Sequence, residues 1–365
     1  MKVLFVATLH MGNSYIDDYF EALQRKCDAT CSVDDFWRKD ARYDVIHLHW
    51  PEALTGWVSP DQDTLNKLAA QLQHWKDAGA RLVITRHNIV PHGENFKLGE
   101  ELYTLVYSCC DYVLHFAKYS VKEFLKRYSN QPFLDKVQHV VIPHGNYISQ
   151  VTYTKAESRK TLSIRPDAFV ITAFGHIRNA NEKELILQAY KRLKIDKKFL
   201  VVPRWESKSR PSIKRKPLAR LWWEWQKVYN KSGYFGHKLG DRRVSDEELV
   251  HYINATDILM IPRTSQILNS GNLYLGFSYG KVVVGPASGN VGEILKATGN
   301  PTFNSEDLST VVDAIEKGAE LSGGSLPQAN YLYAANQCSW DYISNLTLDV
   351  YRSSLITLPN SYTNR

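Results

Sequence analysis

Hydrophobic positions follow two alternating rhythms along the first half of this chain. Short apolar and β-branched runs (KVLFVAT, DVIHLHW, RLVITRHN, YVLHFA and VQHVVIPHG) are separated by stretches in which apolar residues recur every three or four positions. The runs predict strands, and the intervening spacing predicts helices around Ile16 to Lys26, Pro60 to Ala78, Glu100 to Ser108 and Lys118 to Tyr128. Strands that are apolar throughout, alternating with helices, indicate a parallel sheet covered on both faces. After a polar link near Gln150 to Pro166 a second series begins with AFVITAFG, a helix from Lys183 to Leu193 and KKFLVVP. It continues through a basic insert, a helix from Asp246 to Asn254, the strand DILMIP and the glycine-rich stretch Asn269 to Glu293. The closing SWDYISNLTLDVYRSSL sets Trp340, Ile343, Leu346, Leu348 and Tyr351 at mostly helical intervals.

These elements predict an α/β chain of two doubly wound, Rossmann-like domains with a cleft between them. The expected boundaries are 1–155 for the first domain, 156–338 for the second with an insert at 204–240, and 339–365 for a closing helix. A length of 365 residues, above what one hydrophobic core usually supports, agrees with two domains. Ligands on such sheets bind at the carboxyl ends of the strands.

Apolar residues make up 44% of the chain, yet no run is long enough to span a bilayer. The start MKVLFVATLH lacks the apolar core and cleavage site of a signal peptide, so a cytoplasmic protein is expected. Five cysteines without a CxxC pair argue against a disulfide framework and a structural zinc site.

The net charge of +7 is concentrated, because Arg204 to Lys238 carries ten Lys/Arg against two acids. A partner of negative charge should meet that segment. Within it Leu218, Leu221, Trp222, Trp225, Val228 and Tyr229 form an apolar stripe at helical steps. Such a helix could lie on an anionic membrane face, peripheral to the inner leaflet, or pack on its own domain, and both readings stand open. Nothing else in the chain supports nucleic acid as a partner.

The richest stretch is NSGNLYLGFSYGKVVVGPASGNVGE, from Asn269 to Glu293. It reads as a small-residue turn opening a short helix (Leu273 to Tyr279), a buried strand (Val282 to Val284), and a second glycine-rich turn ending on an acid. A helix start offers backbone N–H groups without intrahelical partners, and the helix dipole adds partial positive charge. Phosphate suits such a place. Asp61-Gln62-Asp63 spells a DxD metal motif, but Ser59 and Pro60 before it make it the opening of a helix, and no protein-bound metal is expected.

Several pieces together resemble the GT-B glycosyltransferases, particularly the large nucleotide-sugar-dependent group that includes glycosyltransferase family four. FGHIRNANEKELILQAYKRL is similar to that group's strand, glycine, basic loop and helix opening the second domain. ILMIPRTSQILNSGNLYLGFSYGKVVVGPASGNVGEIL is similar to its donor-binding region, and CSWDYISNLTLDVYRSSL to its final helix, which crosses back to the first domain. DVIHLHWP, TRHNIVPH and VVIPHGN match recurrent first-domain loops. The group's usual pair of glutamates would fall near Ile267 and Leu275 and is absent, as in a variant carrying a Ser-Gly turn. Asn181 stands where a phosphate-binding lysine is common.

The resemblance implies transfer of a sugar from a nucleotide diphosphate-sugar, with a UDP or GDP sugar expected, to a hydroxyl of a saccharide or lipid-linked glycan. No tightly bound cofactor is implied, and the stereochemical outcome stays open. Arg178 is the first candidate for the diphosphate, with Ser270, Gly271 and Asn272 beside it and Lys183 and Arg263 in support. Glu293 resembles the acid that accepts hydrogen bonds from the ribose or the sugar. In the first domain His10, Met11, Gly12 and Asn13 form the loop after the first strand, where glycine permits close backbone approach. His87, followed by Asn88 and the Pro91-His92 pair, is the candidate to orient the donor sugar or act as a base, since an imidazole suits proton transfer at neutral pH. His144 also stands at a strand end, while His49 and Trp50 would shape the acceptor side or pack. A nucleotide-sugar epimerase on the same fold and a non-catalytic nucleotide- or glycan-binding subunit are the alternatives.

Overall fold

The computed structural model describes residues 1–10, 12, 14–91, 96–205, 236–240, 244–264 and 267–353. The membrane-helix reading of the insert, together with Met11, Asn13 and His92, therefore lies outside the described residues. Among the described residues no helix is long and apolar enough to cross a membrane. The chain divides into two compact units, Met1–Gly145 with Ser339–Arg365, and Asn146–Cys338.

The first unit is built on a six-stranded sheet of order β2-β1-β3-β4-β5-β6. Its strands are β1 (Lys2–Val6), β2 (Asp28–Cys31), β3 (Val45–Leu48), β4 (Arg81–Thr85), β5 (Tyr112–His115) and β6 (Gln138–Val141), and every neighbouring pair is parallel. Alternate side chains serve two cores, as the two-residue period of a strand requires. Leu4, Ile46, Leu82 and Ile84 pack on one face with Leu68, Leu72 and Trp75, whereas Val3, Phe5, Val45 and Val83 pack on the other. The last helix (Trp340–Arg352) belongs to that second core through Ile343, Leu348 and Tyr351. Thr347 on the same helix, fully buried, bonds Tyr19 Oη at 2.5 Å.

The second unit carries another all-parallel sheet, of order β12-β11-β10-β7-β8-β9. Its strands are β7 (Phe169–Ala173), β8 (Lys198–Val202), β9 (His237–Leu239), β10 (Ile258–Met260), β11 (Val282–Pro286) and β12 (Thr302–Phe303). Counted from β7, the order is the 3-2-1-4-5-6 of a dinucleotide fold. The chain leaves β7 toward β8 on one side and returns to β10 on the other. The crevice at the ends of β7 and β10 is thus the topological switch point, where open α/β sheets bind ligands.

Three predicted boundaries move for local reasons. The helix expected from Pro60 is Gln62–Asp77, because Asp61 and not Ser59 takes the N-cap, accepting from Thr64 N at 2.8 Å. Ser59 Oγ instead accepts from Lys97 N. The helix expected from Lys183 starts at Ala180, since Asn179 caps it by accepting from Glu182 N at 2.9 Å. The second glycine-rich turn is the opening of a helix, Gly289–Ala297, so Glu293 lies inside that helix and not beyond a turn. Glycine is required there, since a Cβ on Gly289 would stand 2.1 Å from Ile267 O and one on Gly292 2.2 Å from the carbonyl carbon of Ala287.

Three histidines lie within the first sheet: His47 and His115 fully buried, and His139 partly buried. His47 Nε2 pairs with Thr85 Oγ1 at 2.8 Å and its Nδ1 with Tyr351 Oη at 2.6 Å, while His115 and His139 pair at 3.0 Å. Desolvation lowers His47 to about 3 and His139 to about 4, and holds His115 well below its ordinary value, with His139 and Arg86 adding repulsion. An unfolded chain protonates these imidazoles near pH 6.5 while the folded chain does not, so the unfolded state binds more protons below that pH. Stability should be complete above about pH 6.5 and decline toward pH 4 by ~1.4 kcal/mol per pH unit for each histidine. Urea titrations at pH 7.5, 6 and 5 should show midpoints falling steadily; equal midpoints would contradict this account.

Candidate functional site

The loop after β7 and the segment after β10 meet at the switch point of the second unit. Gly175, at φ 88°, turns the chain out of β7 in a conformation that side chains resist. A Cβ on it would come within 3.0 Å of Asn272 Nδ2, which donates to Phe174 O at 2.6 Å. The predicted Ser-Gly turn is therefore tied to the basic loop, and the Asn272 amide does the tying. Asn272 heads the short helix Gly271–Ser278, whose N-cap Ser270 makes no side-chain capping bond. Its backbone donors thus open beside Gly175, as an anion site needs. Tyr147 Oη adjoins the same helix start, 2.9 Å from where a Cβ on Gly271 would stand.

Four cationic or potentially cationic side chains gather here. Arg178 is an exposed residue, yet crowding by protein atoms and then repulsion from Arg263 lower its pKa from the ordinary arginine value, with Glu182 opposing. His176, also exposed, is lowered by desolvation and by Arg204, Arg263 and Arg178. His176 thus registers all three arginines and Arg178 registers Arg263, so the loop carries a positive field.

Glu182 holds this cluster together. The carboxylate is 0% exposed, and Oε2 accepts from Arg178 N at 2.7 Å and from Arg263 Nη1 at 2.8 Å. Arg263, 6% exposed, also donates from Nη1 to His176 O at 3.0 Å. A buried ion pair with hydrogen bonds on both partners fixes geometry, and removing one partner leaves a costly isolated charge. Arg263 is accordingly a strut beneath the loop more than an open cation. Lys183 Nζ lies 5.1 Å above the ring of Trp205, a cation–π contact. Glu293, half-buried in its helix, contributes negative charge near Tyr333.

In the first unit the strand-end residues form a cluster of rings. His87 stacks on Trp50 at 4.0 Å and 20°, and its Nε2 pairs with His49 Nδ1 at 3.1 Å. His49 is buried, and desolvation followed by repulsion from His47 and His87 keeps it well below its ordinary pKa. Tyr15 stands edge-on to His87 at 5.3 Å and tilted to His144 at 4.4 Å. His144 is buried with Nδ1 on Gly145 O at 2.7 Å, and burial lowers it to about 4. His10 turns outward at φ 59°, with its backbone N–H on Asp17 at 2.8 Å, and Gly12 follows at φ 76°. The structure thus brings His87, His49 and Trp50 together and leaves His10 as an exposed bend.

Sequence reading missed Glu182, His176, Arg204 and Tyr147 as members of these sites. For Glu182 a signal was present: Asn179 and Glu182 have the N-cap and third-position spacing of a helix start. Its pairing with Arg263, 81 residues later, was not visible locally.

No family model and no curated protein matches this sequence. Solved structures do match across almost the whole chain. A sucrose-phosphate synthase from Thermosynechococcus elongatus is 14% identical, with 96% of this chain and 98% of that one covered at a TM-score of 0.65. The Anabaena protein HepE, solved with UDP-glucose, is 14% identical with 96% and 99% covered, also at 0.65. An α,α-trehalose-phosphate synthase (UDP-forming) from Burkholderia xenovorans, in complex with glucose-6-phosphate, is 10% identical with 96% and 100% covered at 0.61. With two parallel six-stranded sheets, a switch point at β7 and β10, and this likeness along its length, the chain has the GT-B fold of the glycosyltransferases.

Proposed function

We propose that this protein transfers a sugar from a nucleoside diphosphate-sugar to a hydroxyl of a saccharide acceptor. The observation that carries the reading is the loop after β7, with His176 and Arg178, set beside the uncapped helix start at Gly271, with Arg263 bonded to His176 O and Arg204, after β8, adding charge near His176. Breaking the anomeric C–O bond puts negative charge on the leaving diphosphate. Oriented N–H groups and fixed cations at that charge stabilise the transition state more than the ground state. Arg178 would meet the diphosphate, the backbone at Ser270, Gly271 and Asn272 would donate to it, and Lys183 would assist from the rim. Glu182 and Arg263 would hold the loop in register without touching the substrate. Glu293 would accept from the ribose or the sugar.

UDP is the favoured nucleotide, because structures of the same fold are complexed with UDP-glucose and UDP. In this reading the second unit binds the donor and the first carries the acceptor side, where Gly12 and Asn13 would approach the ligand and His87 would orient a sugar hydroxyl or take its proton. A lipid-linked glycan, approached with the basic 204–238 segment on an anionic membrane face, is the finer form of the same proposal. Ile267 and Leu275 are buried apolar residues, so neither can serve as the group's paired acids, and the outcome at the anomeric carbon is assigned to neither class.

Arg178→Ala should keep the fold and lower turnover by ~10²-fold or more, the usual loss when one donor to a developing charge is removed. UDP should raise the wild-type melting temperature in a dose-dependent way and the variant's less, since a ligand stabilises according to its concentration over its dissociation constant. Near-normal transfer by folded Arg178→Ala would remove the assignment; UDP binding without turnover across a broad acceptor panel would favour a non-catalytic subunit. Glu182→Leu leaves the Arg263 guanidinium buried without its counter-charge and should cost about 3–5 kcal/mol in unfolding free energy. Glu182→Gln, which keeps an acceptor for Arg178 N, should lose less but still measurably; a Gln variant as stable as the wild type in urea titrations would show that the charge is immaterial.

A further inference from the structure

Trp57 is half-exposed, at 47% of its surface, and its backbone sits at φ 64°. Bulky residues avoid that left-handed region at a cost of roughly 1–2 kcal/mol. The local chain enforces it nonetheless. Gly56 precedes it in the same conformation, Trp57 N donates to Glu52 O at 2.8 Å, and Thr55 Oγ1 bonds Glu52 O and Val58 O at 3.1 and 2.8 Å. Glu52 itself is buried and bonded by Tyr103 Oη at 3.0 Å, so the turn is anchored in the core. A strained backbone that leaves half an indole in solvent gains little from burial, and such outliers point toward function.

The indole does not stand alone. Its ring lies 6.0 Å and 47° from that of Trp50, which stacks on His87 at 4.0 Å. The three rings form a ladder running from the strand ends of β3 and β4 to the surface. Hydroxyl-bearing sugars match this geometry, since a pyranose offers an apolar C–H face for an aromatic plane and hydroxyls at its edge for polar groups beside it. A lipid surface fits less well, because Asp61 and Asp63 follow the turn within six residues and would repel anionic head groups.

Resting on the acceptor role proposed for the first unit, we propose that Trp57 and Trp50 form a saccharide-stacking subsite, with Trp57 as the outer platform for a pyranose ring of the acceptor. Trp57 then sets affinity for extended saccharides and leaves donor binding alone.

The test uses the full chain labelled with 5-fluorotryptophan, with the Trp57 resonance assigned by Trp57→Phe. Titration with linear gluco-, manno- and galacto-oligosaccharides should shift that resonance with at least one series, whether or not transfer occurs. Trp57→Ala should weaken binding of that saccharide, and raise its KM where transfer is measured, by about tenfold, while Trp57→Phe retains most of the affinity. The UDP-induced thermal shift should be equal in all three proteins. It fails on its own if the donor reading is wrong, which separates the two proposals. A Trp57 resonance that moves with no oligosaccharide, equal saccharide affinity in Trp57→Ala, or a resonance that responds to vesicles of anionic phospholipid and to no sugar would overturn the inference.

Discussion

One carboxylate oxygen sets the geometry at the switch point of the second unit. Glu182 Oε2 accepts from a backbone N–H in the loop after β7 and from a guanidinium in the segment after β10, the two strands that flank the switch point. Strand pairing alone would bring these segments within reach of each other without fixing their register. The shared acceptor does so, and its negative charge permits Arg263 to be buried beneath Arg178 and His176 despite their mutual repulsion. The loop consequently holds its cations in fixed places, the preorganisation on which the proposed transfer would draw.

The same constraint explains the division of labour among the arginines. A guanidinium that is buried and committed to a carboxylate and a carbonyl shapes a site, whereas one at the rim can meet a ligand. Arg263 belongs to the first kind and Arg178 to the second, though their sequence contexts, each shortly after an apolar strand, look alike. Asn272 makes a similar point. Its position in a Ser-Gly-Asn turn suggests a ligand contact, yet its amide fastens the helix to Phe174 O, so that the donors left for an anion are backbone groups.

Much of the architecture was legible in the sequence because it depends on short-range periodicity. Apolar runs such as VVVG and ILM at strand positions, and apolar residues at helical steps, specified two parallel sheets before any contact was known. Boundaries were less legible where a cap decides them: Asp61 in place of Ser59, Asn179 in place of a start at Lys183, and Gly289 opening a helix where a turn was expected. Among the candidate site residues, Arg178 and the Ser270–Asn272 turn could be singled out because each follows a strand toward the carboxyl edge. Glu182 was not singled out, since its helix-start spacing gives no hint of an arginine 81 residues away.

The two units use equivalent positions for unlike chemistry. At the strand ends of the second sheet, guanidiniums remain charged at any physiological pH, which would suit the diphosphate proposed there. At those of the first, rings dominate, and burial keeps His47, His49 and His144 neutral. Neutral imidazoles and indoles offer hydrogen bonds and flat apolar faces without attracting phosphate. Such a surface would favour a polyhydroxylated, uncharged ligand over the anion proposed for the other sheet.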